Sequence, residues 1–261
     1  MKKLMLLIGS MFLLCSNTAF GWGRLGHDAV AYIAECHLTT KAKKNIEKYL
    51  DHSIVYFASW MDDWRKQPGY EFTSVWHGAA VDEHFKYVAS PDGDAVSALN
   101  DAIATLANYK SESDSTVIVN LKYIIHLMGD MHCPVHVRRS DIEGFRIFLT
   151  DPFGSQRRYT YHSVWDTQIF ERRNRWHYME YAHQLDRCSK KEIQAICTGS
   201  IQDWFEQNAR ETKDIYALVK PGRKLDKAAT TTFLNRAQPI AERQVLMAGY
   251  RLAKVLNELF G

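Results

Sequence analysis

The chain has 261 residues, of which 46% are hydrophobic and 24% are charged, and its formal net charge is +3 at pH 7. This is the composition of a globular protein, long enough for one large domain or two small ones. A charge so close to neutral argues against broad electrostatic capture of duplex nucleic acid, so any phosphate-binding site must be local.

The first 21 residues have the pattern of a signal peptide. Lys2 and Lys3 form a short basic region, and residues 4–14 are mostly apolar but too few to span a bilayer. Ala19-Phe20-Gly21 then supplies small residues at both recognition positions of a signal peptidase site. Cleavage there would make Trp22 the N-terminus of the mature protein.

Export is therefore expected, and we predict a secreted or periplasmic protein. Loss of two lysines leaves 31 basic against 30 acidic residues, a net charge of +1. Cys15 would allow a lipoprotein leader instead, but Leu14 precedes it where that signal needs a small residue. No later run is long and apolar enough for a transmembrane helix. No protein partner is inferred.

Four cysteines remain after removal of the leader: Cys36, Cys133, Cys188 and Cys197. An exported chain can hold disulfides. Cys188 and Cys197 are close in sequence and are the favoured pair, although pairing does not follow from sequence alone.

Hydrophobic periodicity predicts a mainly α-helical protein. Apolar residues at 29, 30, 33, 34 and 36 fit a helix with one buried face. Thr39-Thr40 would cap a second helix through Leu50, whereas residues 72–77 look extended. Further amphipathic helices are expected at 95–110, 193–218 and 239–260, and β-like runs at 141–161 indicate a hairpin or a covering loop. Without repeats or linkers, residues 22–261 are interpreted as one domain.

Residues 126–136 place three histidines and an aspartate within eleven positions. An apolar run at 117–125 leads in with helical spacing, and Pro134 limits the helix afterwards. His126 and Asp130 are four apart, so on a helix both side chains lie on one face and can reach one metal ion. The sequence thus predicts half of a metal site here.

A second His-x-x-x-Asp pair, His162 and Asp166, indicates that the first pair is not an accident. The chain carries eleven histidines, more than its length would typically include. Imidazole and carboxylate are ligands that zinc accepts, and clustered buried carboxylates need a cation. A single such pair is more often a solvated helix face, but two pairs together with His136 favour a metal centre.

At this point the sequence resembles the zinc-dependent, single-strand-specific nucleases of fungi and plants, the type I nucleases, which are related to bacterial phospholipase C. The resemblance spans nearly all of residues 22–261. It rests on motifs that occur here in the same order: Trp22-Gly-x-x-Gly-His27, Asp62-x-x-Arg65, Trp76-His77, His126-x-x-x-Asp130 continuing to His136, His162-x-x-Trp165-Asp166, and the C-terminal run 248–253.

The resemblance implies a fold of packed amphipathic helices around a cleft with three zinc ions. One ion would be held by Asp62, His77, His126 and Asp130. A second would be held by the amine and carbonyl of Trp22, by His27 and by Asp130, which would bridge the pair. The third would be held by His136, His162 and Asp166.

The implied reaction is hydrolysis of phosphodiester bonds in single-stranded DNA and RNA. Asp62 would orient the attacking water and Arg65 would bind non-bridging phosphate oxygens, giving 5′-phosphorylated products, with release of phosphate from 3′-nucleotides as a further activity. A phosphodiesterase of the phospholipase C type is the alternative, for which apolar residues in the loop 141–154 could meet lipid. A zinc-stabilised binding protein is disfavoured, because structural zinc sites are closed and usually include thiolates.

The sequence departs from that family beside the proposed ligands. An aromatic residue often follows the histidine equivalent to His77 and stacks on a base, but here Gly78 follows it. Stacking would then fall to Trp76, Phe85 or Tyr161. Cys133 occupies a position that is commonly glutamine. We expect His132 to hydrogen-bond near the ions rather than to bind one.

Overall fold

The computed structural model describes residues 22–173 and 176–261, so the predicted signal peptide lies outside the described residues. Helices dominate the chain, as predicted. In order they are α1 (Arg24–Cys36), α2 (Thr40–Ile46), α3 (Trp60–Trp64), α4 (Ala95–Leu106), α5 (Asp114–Asp130), α6 (Tyr161–Ser163), α7 (Ile169–Arg173), α8 (Tyr178–Leu185), α9 (Lys190–Ile196), α10 (Ile201–Ala217) and α11 (Lys227–Phe260). The strands are β1 (Ala79–Val81), β2 (Tyr87–Val88), β3 (Val137–Arg138), β4 (Arg146–Thr150) and β5 (Gln156–Thr160).

The core forms where α11 packs against α1 and α5. The two helices α1 and α11 cross closely because Gly249 has no side chain: a Cβ there would lie 2.5 Å from Cγ2 of Ile33. This crossing fixes α1, which carries His27, against the centre of the molecule.

Two small sheets complete the fold. Strands β2-β1-β3 form one sheet, in which β1 pairs antiparallel with β2 and parallel with β3. The parallel pairing of Ala79 with Val137 brings the chain after His77 alongside the chain after His136. Strands β4 and β5 form an antiparallel hairpin, which confirms the predicted hairpin near 141–161.

Several predicted boundaries are wrong. Residues 72–77 are not extended, because Glu71–Val75 forms a 3₁₀ turn. The helix predicted for 193–218 is two helices, since Gly199 separates α9 from α10 with a φ of +102° that favours glycine. Helix α11 begins at Lys227, well before Pro239, and continues through that proline. Helix α2 ends at Ile46, short of Leu50.

The favoured disulfide is also wrong. Cys36, Cys133, Cys188 and Cys197 are all free thiols in the described part of the chain. Helix α9 lies between Cys188 and Cys197, and seven helical residues span about 10 Å. A helix of that length between the two cysteines opposes the approach to about 7 Å or less between Cα atoms that a disulfide needs.

The membrane prediction agrees with the structure. Within residues 22–173 and 176–261, no helix combines the length and the apolar character that crossing a bilayer requires.

Candidate metal centre

Helix α5 presents His126 and Asp130 to the interior, as their spacing predicts. Ser113 caps the start of the helix, because its hydroxyl accepts a hydrogen bond from the backbone N–H of Thr116, and the helix ends at Asp130. Both side chains are fully buried, with His126 Nε2 3.0 Å from Asp130 Oδ2. His126 Nδ1 donates to the carbonyl of Ala58 over 2.7 Å, which leaves Nε2 as the lone-pair nitrogen suited to a metal.

Two further side chains meet this pair. Asp62 comes from α3 and His77 follows the 3₁₀ turn, and both are largely buried. His77 Nδ1 lies 2.8 Å from Asp130 Oδ2 and 3.6 Å from Asp62 Oδ1, and it is 3.2 Å from His126 Nε2. Ligand atoms about 2.0–2.2 Å from a tetrahedral zinc are roughly 3.3–3.6 Å apart. The four residues therefore surround a space of the right size for one ion.

His27, on α1, approaches the other oxygen of Asp130. Its Nε2 is 3.4 Å from Asp130 Oδ1, and its ring stacks on His126 with centroids 4.2 Å apart. Gly129 makes room, because a Cβ there would lie 2.8 Å from His27 Nδ1. Asp130 thus faces His77 and His126 with one oxygen and His27 with the other, which is the geometry of a bridging carboxylate.

Trp22 is fully buried and packs edge-on against Phe170, with ring centroids 5.4 Å apart. The next residue, Gly23, donates its backbone N–H to the carbonyl of Asp166 over 2.6 Å. Residues 22 and 23 are thereby tied to the segment that carries the third group of ligands. Cleavage after Gly21 would free the amine of Trp22 at this point.

The third group consists of His136, His162 and Asp166. His162 lies on α6, and Asp166 lies in a π-helical turn, Val164–Gln168, of the kind that often marks functional sites. His162 Nε2 is 3.0 Å from Asp166 Oδ2 and His136 Nε2 is 3.8 Å from Asp166 Oδ1. The two rings stack with centroids 5.0 Å apart. The His162 side chain is 33% exposed, and it is the ligand candidate most open to solvent.

Cys133 joins this third group, which the sequence did not predict. Its buried Sγ lies 3.5 Å from Asp166 Oδ1 and donates a hydrogen bond to it. Burial, together with the charge of Asp166, holds the pKa of this thiol well above its usual value in the absence of a cation. The signal in the sequence was the Cys-x-x-His spacing of Cys133 and His136.

Arg65 lies between the groups. Its guanidinium is 3.7 Å from Asp62 Oδ1, and the side chain is 11% exposed. Burial alone would lower the pKa of His162, but the nearby Asp166 carboxylate outweighs burial, so the pKa is raised overall. The positive charge of Arg65 opposes this rise. Arg65 is therefore close to both the first and the third group.

Without a cation, the pKa values of neighbouring ligands in the cluster are shifted in opposite directions. Burial alone would lower the pKa of His126, but Asp130 and Asp62 outweigh it and raise that pKa to about 9. Burial lowers the pKa of His136 to about 3 and raises that of Asp166 to about 7. Neighbouring ligands are thus driven in opposite directions by the same buried environment.

Buried polar atoms without hydrogen bonds point the same way. They include Nδ1 and Nε2 of His27, Oδ1 of Asp62, Oδ1 of Asp130, Nδ1 of His136 and Oδ2 of Asp166. Several lie within contact distance of another ligand but lack hydrogen-bond geometry, as Asp166 Oδ2 does with His162. Each such atom costs about 1–3 kcal/mol. Cations at these positions would satisfy them, so the residues present fit metal ions.

His132 is fully buried but contacts no proposed ligand. Its Nδ1 donates to the carbonyl of Met128 over 2.7 Å, and its Nε2 accepts from Arg251 on α11 over 2.8 Å. Accepting from Arg251 requires a lone pair on Nε2 and hence a neutral ring, and burial and the charge of Arg251 hold the pKa of His132 well below its usual value. His132 anchors the metal-binding segment to α11, so the expected hydrogen bonding is present but its partners lie outside the cluster.

The presence of glycine at position 78 has a steric reason. A Cβ at this position would lie 2.5 Å from the carbonyl oxygen of His136, because β1 runs beside β3. Any side chain at residue 78 of this chain would require β1 to move away from β3. Of the residues predicted to stack on a base in its place, Tyr161 is a wrong prediction, because it is 1% exposed and stacks on Phe145. Trp76 and Phe85 are both partly exposed.

Exposed aromatic rings instead line a cavity that adjoins the one at Asp62. One cavity, of about 190 Å³, is lined by residues that include Gly23, Asp62 and Thr167. It shares the lining residues Arg24 and Asp63 with a larger cavity of about 590 Å³, here called the aromatic cavity. The aromatic cavity is lined by four aromatic side chains, Tyr56, Trp60, Trp64 and Tyr178, together with His52. Tyr56 and Trp64 are 66% and 42% exposed.

The loop proposed to meet lipid does not present an apolar surface. Ile147 and Leu149 are fully buried, and Phe145 stacks on Tyr161. Phe148 is partly covered by Lys224, whose Nζ lies 5.5 Å from the ring centroid. Phe153, at the tip of the hairpin, is exposed. The interpretation of 141–154 as a lipid-facing loop is therefore wrong.

The chain is similar to known nucleases over nearly its whole length. Residues 22–261 match the family model described as S1/P1 Nuclease. The chain is 24% identical to Nuclease S1 of Aspergillus oryzae over 96% of both chains. It is 25% identical to Endonuclease 2 of Arabidopsis thaliana, over 98% of this chain and 97% of that protein. It is 24% identical to Nuclease P1 of Penicillium citrinum, over 92% of this chain and 98% of that protein.

Proposed function

The chain belongs to the S1/P1 nuclease family and is a metal-dependent, phosphodiester-hydrolysing nuclease, and we propose that it is an exported enzyme that uses three zinc ions to cut single-stranded DNA and RNA. The observation that carries the proposal is the buried cluster in which the two oxygens of Asp130 face two different groups of ligand atoms. The products are 5′-phosphorylated nucleotides, with phosphate released from 3′-nucleotides as a further activity.

The proposed ligands are the residues predicted from the sequence. The first ion would be held by Asp62, His77, His126 and Asp130, the second by Trp22 with its free amine and carbonyl, His27 and Asp130, and the third by His136, His162 and Asp166. Their mutual distances of 2.8–4.0 Å and their unsatisfied buried atoms support this assignment. Zinc suits imidazole and carboxylate ligands, and when bound it supplies water of lowered pKa and positive charge for the phosphate.

The protein's own groups would position the reactants. Asp62 has two carboxylate oxygens, so one could bind the first ion while the other accepts a hydrogen bond from the attacking water and orients it toward phosphorus. Arg65, between Asp62 and His162, can donate two parallel hydrogen bonds to non-bridging phosphate oxygens. Positioning of this kind accounts for much of the rate in phosphoryl transfer.

The aromatic cavity supports a single-stranded substrate. Bases of a single strand can leave the stack and pack on exposed rings, whereas bases in a duplex cannot. Tyr56 and Trp64 offer such rings in the aromatic cavity, which shares Arg24 and Asp63 with the cavity at Asp62. The buried apolar residues of β4 disfavour the phospholipase alternative, which needs an apolar rim around the cleft.

Residues 1–21 are proposed to be removed on export, giving a mature domain of residues 22–261. Removal matters for the chemistry, because only a free amine at Trp22 can complete the second site. Mass spectrometry of the exported protein is expected to find Trp22 as its first residue.

The test compares substrates with and without a chelator. Mature protein exported with its own leader should hydrolyse single-stranded DNA faster than duplex DNA, should leave phosphatidylcholine intact, and should stop when zinc is chelated. Asp62→Asn should lower the rate by on the order of 10²- to 10³-fold. Asp114→Asn is the matched control, since Asp114 is exposed at the start of α5, at the other end of that helix from Asp130. Chelator-insensitive cleavage, or phosphatidylcholine as the better substrate, would refute the proposal.

A further inference from the structure

Cys133 occupies a position in the third group that its thiol can use. Its Sγ, a ring nitrogen of His136 and a carboxylate oxygen of Asp166 all lie within 4.8 Å of one another, and all three residues are buried. Cys133 is fully buried and directly precedes the 3₁₀ turn, Pro134–His136, that carries His136. The fold therefore places the thiol and the imidazole on one short, rigid segment.

The distance from Cys133 to Asp166 matches that of two ligands of one ion. With Zn–S near 2.3 Å and Zn–O near 2.0 Å, sulfur and oxygen on a tetrahedral zinc are about 3.5 Å apart. The distance from Cys133 Sγ to Asp166 Oδ1 is 3.5 Å. No rearrangement of either side chain is needed for both atoms to reach the same metal.

A second observation points to a ligand at this place. Oδ2 of Asp166 is buried, in a residue that is 2% exposed, and has no hydrogen-bond partner. One carboxylate oxygen is thus occupied by the thiol, while the other lies beside His162 without hydrogen-bond geometry. A cation among these atoms would satisfy the carboxylate and displace the thiol proton to solvent.

We propose that Cys133 binds the third metal ion through its sulfur, together with His136 and Asp166, and that His162 is the remaining, solvent-facing ligand. This inference rests on the proposed metal centre. It makes the third site softer than the other two, because thiolate is a soft ligand that favours metals such as zinc and copper(I) over hard cations. It also makes His162 the ligand that can give way to substrate, since His162 is 33% exposed and the other three side chains are buried.

The test uses cobalt as the probe. Mature protein freed of metal and loaded with Co²⁺ should show a near-ultraviolet sulfur-to-cobalt charge-transfer band, and the band should be fully developed once three equivalents are bound. Cys133→Ser should remove the band and weaken binding of the third equivalent by about tenfold or more. Cys197→Ser is the control, because Cys197 is a buried thiol beside Arg251 and outside the cluster.

The outcomes separate this inference from the proposed function. Three cobalt ions bound without a charge-transfer band in the unaltered protein would overturn the sulfur ligand and leave the metal centre intact, and this result needs no variant. A band that persists in Cys133→Ser, or in Cys133→Ala if the serine variant fails to fold, would also overturn it. A protein that binds no cobalt would contradict the metal centre itself.

Discussion

At the scale of single residues, the cluster is built from side chains whose chemistry is visible in the sequence and whose arrangement is not. His126 and Asp130 could be paired by their helical spacing, and the structure brings them within 3.0 Å. Cys133 could not be assigned, because its contact with Asp166 depends on a π-helical turn that no periodicity announces. The sequence thus predicts residue types at a site better than it predicts their partners.

Gly78 is expected to tolerate no side chain. Gly78→Ala would set a Cβ against the carbonyl oxygen of His136 at 2.5 Å, so β1 and β3 must separate. The free energy of unfolding should fall by about 1–3 kcal/mol in urea denaturation. Gly144→Ala is the control, because no atom lies within 4 Å of a Cβ there, and its unfolding should change little. Equal stability of the two variants would show that the contact between the strands can relax.

Asp166 gives a prediction for the metal-free protein. Burial raises its pKa from 3.8 to about 7, so its contribution to stability is complete below pH 3.8 and is lost as the pH rises through 7. Asp166→Asn should therefore stabilise the chelated protein by roughly 2–4 kcal/mol near pH 8, and less near pH 5. In zinc-loaded protein, Asp166→Asn should instead lower the stability, because the variant loses a metal ligand. Thermal unfolding near pH 8 and near pH 5, with and without zinc, measures these differences in stability. A chelated Asp166→Asn protein no more stable than the parent near pH 8 would contradict the raised pKa of Asp166.

At the scale of elements, local pattern predicts the central helix and the hairpin, whereas tertiary contacts decide the rest. Helix α5 follows its apolar run and stops before Pro134. Helix α11 was predicted to begin at Pro239, but twelve residues before the proline are also helical, because their apolar face packs into the core. The short turn at Glu71–Val75 lacks a repeating pattern long enough to distinguish it from a strand.

The beginning of α1 provides a prediction about processing. Extra residues before Trp22 convert its amine to an amide, which cannot coordinate zinc as the amine does. The extended protein should hold one zinc ion fewer per chain, while the chelated forms unfold alike. The same extension placed after Gly261 is the control. Full zinc occupancy in the N-terminally extended protein would remove Trp22 from the second site.

At the scale of the whole molecule, nearly balanced charge leaves substrate capture to local features. The mature chain carries a formal charge of +1, so long-range attraction to phosphate is weak. Helices α1, α5 and α11 bury the cluster, and the aromatic cavity opens beside it. Composition indicated that any phosphate site must be local, but only the packing of distant segments reveals where the exposed rings lie.

The aromatic cavity should act on binding of longer substrates. Tyr56→Ala removes a ring that is 66% exposed, and stacking of one base on an aromatic ring contributes about 1–3 kcal/mol. The KM for a single-stranded oligonucleotide should rise about 5- to 150-fold, while hydrolysis of a 3′-nucleotide stays unchanged. Phe153→Ala is the control, because Phe153 is exposed on the distant hairpin tip. An unchanged KM in Tyr56→Ala would exclude the aromatic cavity from substrate binding.

The most direct test of the trinuclear centre is zinc content, measured by elemental analysis in the mature protein and in Asp130→Asn. Asp114→Asn is the control, since Asp114 is exposed at the other end of α5. We predict three zinc ions per chain in the parent and the control. Because Asp130 faces both the first and the second group of ligands, we predict one in Asp130→Asn. Fewer than two zinc ions in the parent, or an undiminished number in Asp130→Asn, would contradict a centre bridged by Asp130.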